Sequence, residues 1–198
     1  EETQALLAAL FEEIITPDFL SGIYRETEGN PFFIEEVCKT LVEEGKLYFE
    51  DGRWHRPSMD ELEIPQSVRV AIQSRITTMP EQFQETLRLA AILGREFDYD
   101  TLAKASEVSE DALIEALEAA EHAQLIEEVS GKGGVTFSFL HALIPATLEE
   151  SVHTLRRRKL HRQAAAAIES LRPEDHEALA YHYGEAGDDQ KALTYYTR

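Results

Sequence analysis

The sequence predicts a mainly α fold broken by small β-hairpins. Three observations carry that reading. Apolar residues recur at three- and four-residue spacing through most of the 198 residues. Helix punctuation brackets these runs: a capping Ser, Thr or Asn, a Pro in the first position, a Gly just past the end. Two places alternate apolar and polar residues around turn formers, the mark of a hairpin. Hydrophobic residues make up 43% of the chain, enough for a real core.

Taken in order, residues 3–15 form the first helix, with Leu6, Leu7, Leu10, Phe11 and Ile14 on one stripe. Thr16-Pro17-Asp18 starts a second helix, Thr16 capping it, that runs to about Thr27. Gly29-Asn30-Pro31 repeats the device and opens a third helix carrying Phe33, Ile34, Val37 and Leu41, which Gly45 ends. Two β-type runs then flank Asp51-Gly52, the usual pair for a two-residue type I′ turn. Residues 57–65 look like a linker. From Gln66 the pattern is helical again. Val68, Ile72 and Ile76 mark one helix. Pro80 to Gly94 bounds the next, and a short one lies near Asp100–Ala105. Ser109 caps another that runs to about Ala123. Ile126–Val129 and Val135–Phe139 are strands around Gly131-Lys132-Gly133-Gly134. Helices followed by a hairpin are the order of a winged-helix domain, with the hairpin as the wing.

Phe137–Glu150 changes period midway. Val135, Phe137 and Phe139 alternate as a strand does, and from Ala142 onward Leu143, Ala146, Thr147 and Glu150 fit a helix. His141 stands at the junction, beside the N–H groups that a new helix leaves unpaired, a natural place for an anion. Its other reading is a cap or a packed histidine. A long helix follows over about Leu155–Leu171, and Pro173 ends it. Ala178, Tyr181, Ala186-Gly187-Asp188, Lys191-Ala192 and Tyr195-Tyr196 then resemble one helix–turn–helix unit of a tetratricopeptide-like array. One such unit cannot bury its own face, so further repeats are expected after Arg198.

The net charge of −19 opposes binding to nucleic acid or to an anionic membrane. It is uneven: residues 1–65 carry −11, residues 66–172 carry −4 and residues 173–198 carry −4. Arg156–Lys159 is the one dense basic run. No stretch approaches the length of a membrane span and nothing resembles a signal peptide. Cys38 is the single cysteine, so no internal disulfide forms, and a reducing, cytoplasmic setting fits. It lies within an apolar helical pattern and reads as a small buried residue. There is no Gly-rich loop with a Lys, no CxxC and no HExxH. The seven histidines offer no ligand pair at helical spacing, so no metal is expected. The chain starts without a Met and stops inside a helical pattern, and is expected to be a piece of a longer protein.

GNPFFIEEVCKTLVEEGKL resembles the lid helices of STAND-type signal-transduction ATPases, large P-loop regulators whose members include ATPase regions fused to adenylate cyclases. In that family a Gly-x-Pro motif lays its Pro near the adenine and ribose; Gly29, Asn30 and Pro31 match it. SVRVAIQSRITTMPEQFQETLRLAAILGREFDYDTL is similar to the start of the family's winged-helix domain. FSFLHALIPATLEES resembles the segment where many members carry Met-His-Asp, whose histidine contacts the β-phosphate of ADP and holds the resting state. His141 takes that place, with Leu140 where Met stands and Ala142 where Asp stands.

The resemblance implies a helical lid over 1–45, a hairpin and linker over 46–65, and a winged-helix domain over 66–153. A connecting helix over 154–173 and the first repeat over 174–198 complete it. The segment would close over a nucleotide held by an upstream P-loop domain in cis. It would couple the ATP/ADP state, with Mg in the parent protein, to a repeat sensor that binds protein partners. Alone it would hold no cofactor and catalyse nothing. The parent's output domain stays open among a cyclase, a LuxR-type DNA-binding tail and a kinase.

Two other functions compete. One is a DNA-binding winged helix that reads with Glu110–Ala123, an element bearing Glu110, Asp111, Glu115, Glu118 and Glu121 and no Lys or Arg. The other is a protein-interaction scaffold built on the repeats, which is compatible with the ATPase reading.

Overall fold

The computed structural model describes residues 2–11, 15–51, 53–56, 66–129 and 134–197, with backbone alone at 66–68. Ile14, the side chain of Val68, Gly52, the linker over 57–65 and Gly131-Lys132-Gly133 therefore lie outside the described residues. The fold is mainly α with two small antiparallel sheets. By its contacts the chain divides into two compact units, Glu1–Ser74 and Arg75–Arg198.

The first unit begins with α1 (Glu2–Phe11), α2 (Pro17–Thr27) and α3 (Pro31–Glu43). Their apolar faces meet in a core of Leu7, Phe19, Ile23, Phe33, Ile34, Val37 and Leu41. Pro17 and Pro31 occupy first helical positions, where a missing N–H costs nothing. Thr16 sits at the cap position of α2, but its side chain makes no capping hydrogen bond. The expected Thr cap is thus absent. Gly45 ends α3 in the left-handed region, at φ 67°. The Lys46 N–H reaches back to the Leu41 carbonyl and the Gly45 N–H to that of Val42, the paired bonds of a Schellman stop.

β1 (Tyr48–Glu50) and β2 (Arg53–His55) form the expected hairpin, with Glu50 opposite Arg53. Asp51 has φ 51°, as the first turn position of a type I′ loop requires. Trp54 packs its edge on Phe11 at 4.9 Å and donates from Nε1 to the Phe11 carbonyl at 3.2 Å. It is a packing aromatic with its one polar atom satisfied. Helix α4 (Gln66–Thr77) runs across the division between the units.

The second unit runs α5 (Glu81–Leu93), β3 (Glu96–Asp98), α6 (Tyr99–Ala105), α7 (Glu110–His122), β4 (Ile126–Val129) and β5 (Thr136–Phe139). Its sheet is antiparallel in the order β3-β5-β4. β3 is absent from the sequence reading. Phe97 is its one inward residue, stacked on Phe137 at 5.8 Å, so three residues give no alternation to detect. Leu87, Leu102, Leu113, Leu117, Phe139 and Leu148 fill the core beneath. Ser109 caps α7 by accepting the Ala112 N–H, and Asp98 caps α6 by accepting that of Thr101.

After β5 come α8 (Leu143–Glu150), α9 (Thr154–Leu171), α10 (His176–Glu185) and α11 (Asp189–Tyr196). The α10–α11 hairpin rests on α9 through Ala165, Ile168, Leu179, Tyr183 and Ala192, all buried. Asp175 and Asp188 cap the two hairpin helices. Among the described residues no helix is long and apolar enough to cross a membrane.

Candidate functional site

Both places singled out by the sequence are helix N-termini, built by local chemistry. α2 ends at Thr27, whose buried hydroxyl donates to the Ile23 carbonyl at 2.7 Å and accepts the Gly29 N–H at 3.3 Å. Glu28 and Gly29 both turn left-handed, at φ 51° and 81°. That reverses the chain, and the Asn30 N–H donates to the Thr27 carbonyl at 2.9 Å. Asn30 then caps α3: its Oδ1 accepts the Phe32 N–H at 3.1 Å. Pro31 follows, exposed, in the first helical position.

Gly29 is needed here twice over. Its φ disfavours a side chain, and a Cβ would stand 3.0 Å from Tyr24 Cε2 and 3.2 Å from Thr3 Oγ1. Thr3 and Tyr24 also line, with Gln4, Leu20, Ser21 and Arg25, an open cavity of about 330 Å³ between α1 and α2. Gly29 therefore lies against two residues that line a cleft within the first unit.

His141 lies in the second unit, between β5 and α8, and is 3% exposed. Its Nδ1 accepts the Leu143 N–H at 3.1 Å, and its carbonyl accepts that of Ile144 at 3.0 Å. A backbone N–H can only donate, so Nδ1 is bare and the neutral ring carries its proton on Nε2. The ring does for α8 what Asn30 does for α3: it accepts the N–H two residues ahead. Ala142, at the formal cap position, has no side chain that could. Gly29, Asn30 and Pro31 thus share one turn of the first unit, and His141 belongs to the second.

Cys38 is buried, and burial pushes its thiol up to about 12, which leaves no thiolate for nucleophilic chemistry. Three of the four cations in the basic run of α9 have internal partners. Arg156 pairs with Glu85, Lys159 with Glu107 at 2.8 Å, and Arg157 donates to the Glu149 carbonyl at 2.7 Å. Among the described residues, no group of three or more His, Cys, Asp or Glu side chains could hold a metal ion.

Two constellations escaped the sequence reading. His161 on α9 and His182 on α10 are buried with their Nδ1 atoms 3.0 Å apart. They are 21 residues apart in the chain, so spacing within a helix could not show them. Near the end of α9, Glu169 accepts hydrogen bonds from Tyr183, from Tyr195 at 2.6 Å and from Lys191 at 3.0 Å. The two tyrosine rings stack 5.9 Å apart, and the Lys191 ammonium lies 4.3 Å from the Tyr183 ring centre. These donors, Tyr183 first, hold the Glu169 carboxyl down at about 2.

No family model matches the chain. Part of it is similar to hybrid signal transduction histidine kinase G of Dictyostelium discoideum, with 26% identity over 99 residues. The matched part is 48% of this chain and 3% of that protein. The chain therefore spans only a small fraction of this curated relative.

Proposed function

We propose that the chain is a regulatory segment of a STAND-type signal-transduction ATPase, closing over a nucleotide bound by an upstream P-loop domain and passing its ATP/ADP state to a downstream repeat sensor. The observation that carries the reading is the connection order of the second unit. α5, β3, α6, α7, β4 and β5, with β3 on β5 and β5 on β4, is an order compatible with a winged-helix domain, which supports this reading. A long helix and a helical hairpin with the look of a tetratricopeptide unit follow it, and a Gly-Asn-Pro-capped helical bundle precedes it. The Dictyostelium relative, named a signal transduction kinase, makes a signalling parent the natural setting.

The residues fit such a role chemically. Pro31 presents an exposed rigid face of the kind that packs on a base or ribose. His141 keeps its proton on Nε2, the form that donates to a phosphate oxygen. This chain's part is to hold the His141 ring in one tautomer, through Leu143, and to fix Pro31 by the Asn30 cap.

A DNA-binding winged helix gains nothing from the structure. Glu110, Asp111, Glu115, Glu118 and Glu121 are exposed along α7, and Arg156 and Lys159 of α9 are paired with acids of their own unit.

The test is ADP affinity in a protein extended to include the upstream P-loop domain. His141→Ala removes a charge-assisted donor and is expected to weaken ADP about tenfold or more. His141→Asn retains a capping oxygen for Leu143 but lacks the imidazole, and should weaken ADP equally while folding normally. ADP affinity unchanged in His141→Asn would overturn the phosphate-sensing role.

A further inference from the structure

The histidine pair on α9 and α10 has no part in that reading. His161 is 2% exposed and His182 4%. A hydrogen bond between two Nδ1 atoms 3.0 Å apart needs one proton between them. One ring donates and the other must be bare. The pair thus joins α9 to the α10–α11 hairpin by a polar contact that exists in some protonation states and not in others.

The surroundings set the order in which protons arrive. On α9, the Arg157 guanidinium opposes a charge on His161. On α10, Glu185 and the capping Asp175 favour a charge on His182. The Tyr181 ring meets both imidazoles edge-on, at 5.7 and 5.1 Å. Glu149 at the end of α8 faces Arg157 and Tyr181. His182 also lines a cavity of about 320 Å³, whose wall includes Glu96 and Asp98 of β3 and Arg172 at the end of α9. Arg172 pairs with Asp98 at 3.2 Å. On α11, Lys191 is committed to Glu169 and Tyr183.

The first proton therefore goes to the second ring nitrogen of His182, making an imidazolium whose Nδ1–H still donates to His161. The second must land on His161 Nδ1, the atom that accepts the bond. Two N–H groups then face each other and two like charges repel.

We propose that His161 and His182 form an acid-released latch: neutral or singly protonated, the pair seats the α10–α11 hairpin on α9, and the second proton unseats it. Burial, the largest cause, lowers both rings from 6.5 to about 4, which places the release between those values.

Amide hydrogen exchange on the full chain at about pH 7 and about pH 5 tests the latch, after correction for intrinsic exchange. Protection of α10 and α11 is expected to fall on the order of tenfold more than that of α5 and α7. Side-chain NMR should show both rings titrating well below 6.5. His182→Gln, which keeps a neutral donor and acceptor, should hold the hairpin and flatten the pH dependence. Equal loss of protection across α5, α7, α10 and α11, or either ring titrating near its ordinary value, would overturn the proposal. Both wild-type measurements decide the matter even where the variant does not fold.

Discussion

Asn30 and His141 solve one problem with different atoms. A helix start leaves N–H groups without partners, and each side chain accepts one of them from two residues ahead. Asn30 is half-exposed, so water can replace its oxygen; His141 is buried, so nothing does. His141→Leu should therefore destabilise the protein by about 1–3 kcal/mol, the cost of stranding a buried N–H. Asn30→Ala should cost nearer 1 kcal/mol. Gly29→Ala should cost about 1–2 kcal/mol, because φ 81° is unfavourable for a Cβ and Tyr24 must shift. Urea denaturation of the three variants checks the ranking; a His141→Leu protein as stable as the wild type would show that its ring is not needed as an acceptor. Asn30, Pro31 and Ser109 were legible in the sequence because a cap acts within two or three residues. The two readings of His141, anion site or cap, were both visible too. What the sequence lacked was the ring's burial and the bond to Leu143, which together assign the proton to Nε2.

At the scale of elements, what the sequence showed and what it hid divide by contact distance. Most helices and both hairpins carry their own periodicity and punctuation. β3 does not: it is a strand because Phe97 pairs with Phe137, 40 positions later. The joint between α9 and the α10–α11 hairpin is likewise a product of packing. Its polar clasp, Glu169 with Tyr183, Tyr195 and Lys191, draws on three helices. The Glu169 carboxyl is held at about 2 against an ordinary 4.5, so the clasp is at full strength above 4.5 and is lost as pH falls toward 2. The side chain is 35% exposed, and solvent screening reduces its worth to about 1 kcal/mol. Glu169→Gln should thus lower stability by about 1 kcal/mol at neutral pH and by nothing near pH 2. A Glu169→Gln penalty that is the same at both pH values would mean that packing, not charge, explains the clasp. The histidine pair acts in the same direction in a higher window: its stability is present above 6.5 and lost toward 4. Acid therefore loosens this joint by two independent groups in succession.

The whole molecule has two cores, and the chain provides a means of watching them separately. Trp54 is the single tryptophan and sits in the first unit, its edge against Phe11. Its fluorescence reports that unit alone. Far-UV circular dichroism is weighted toward the second unit, which holds α5 to α11. Phe33 is 2% exposed in the first core and Leu113 2% in the second. Each truncation to Ala removes a buried side chain and leaves a cavity, worth about 3–5 kcal/mol for Phe and 2–5 kcal/mol for Leu. Where each unit is stabilised by its own core, Phe33→Ala moves the fluorescence transition to lower urea and leaves the main dichroism transition in place. Leu113→Ala does the reverse. A regulatory segment that carries a signal between a nucleotide and a sensor needs parts that can change state separately, since one indivisible core has no second arrangement to offer. If both probes shift together in both variants, the units unfold as one body and a switch within this segment loses its physical basis.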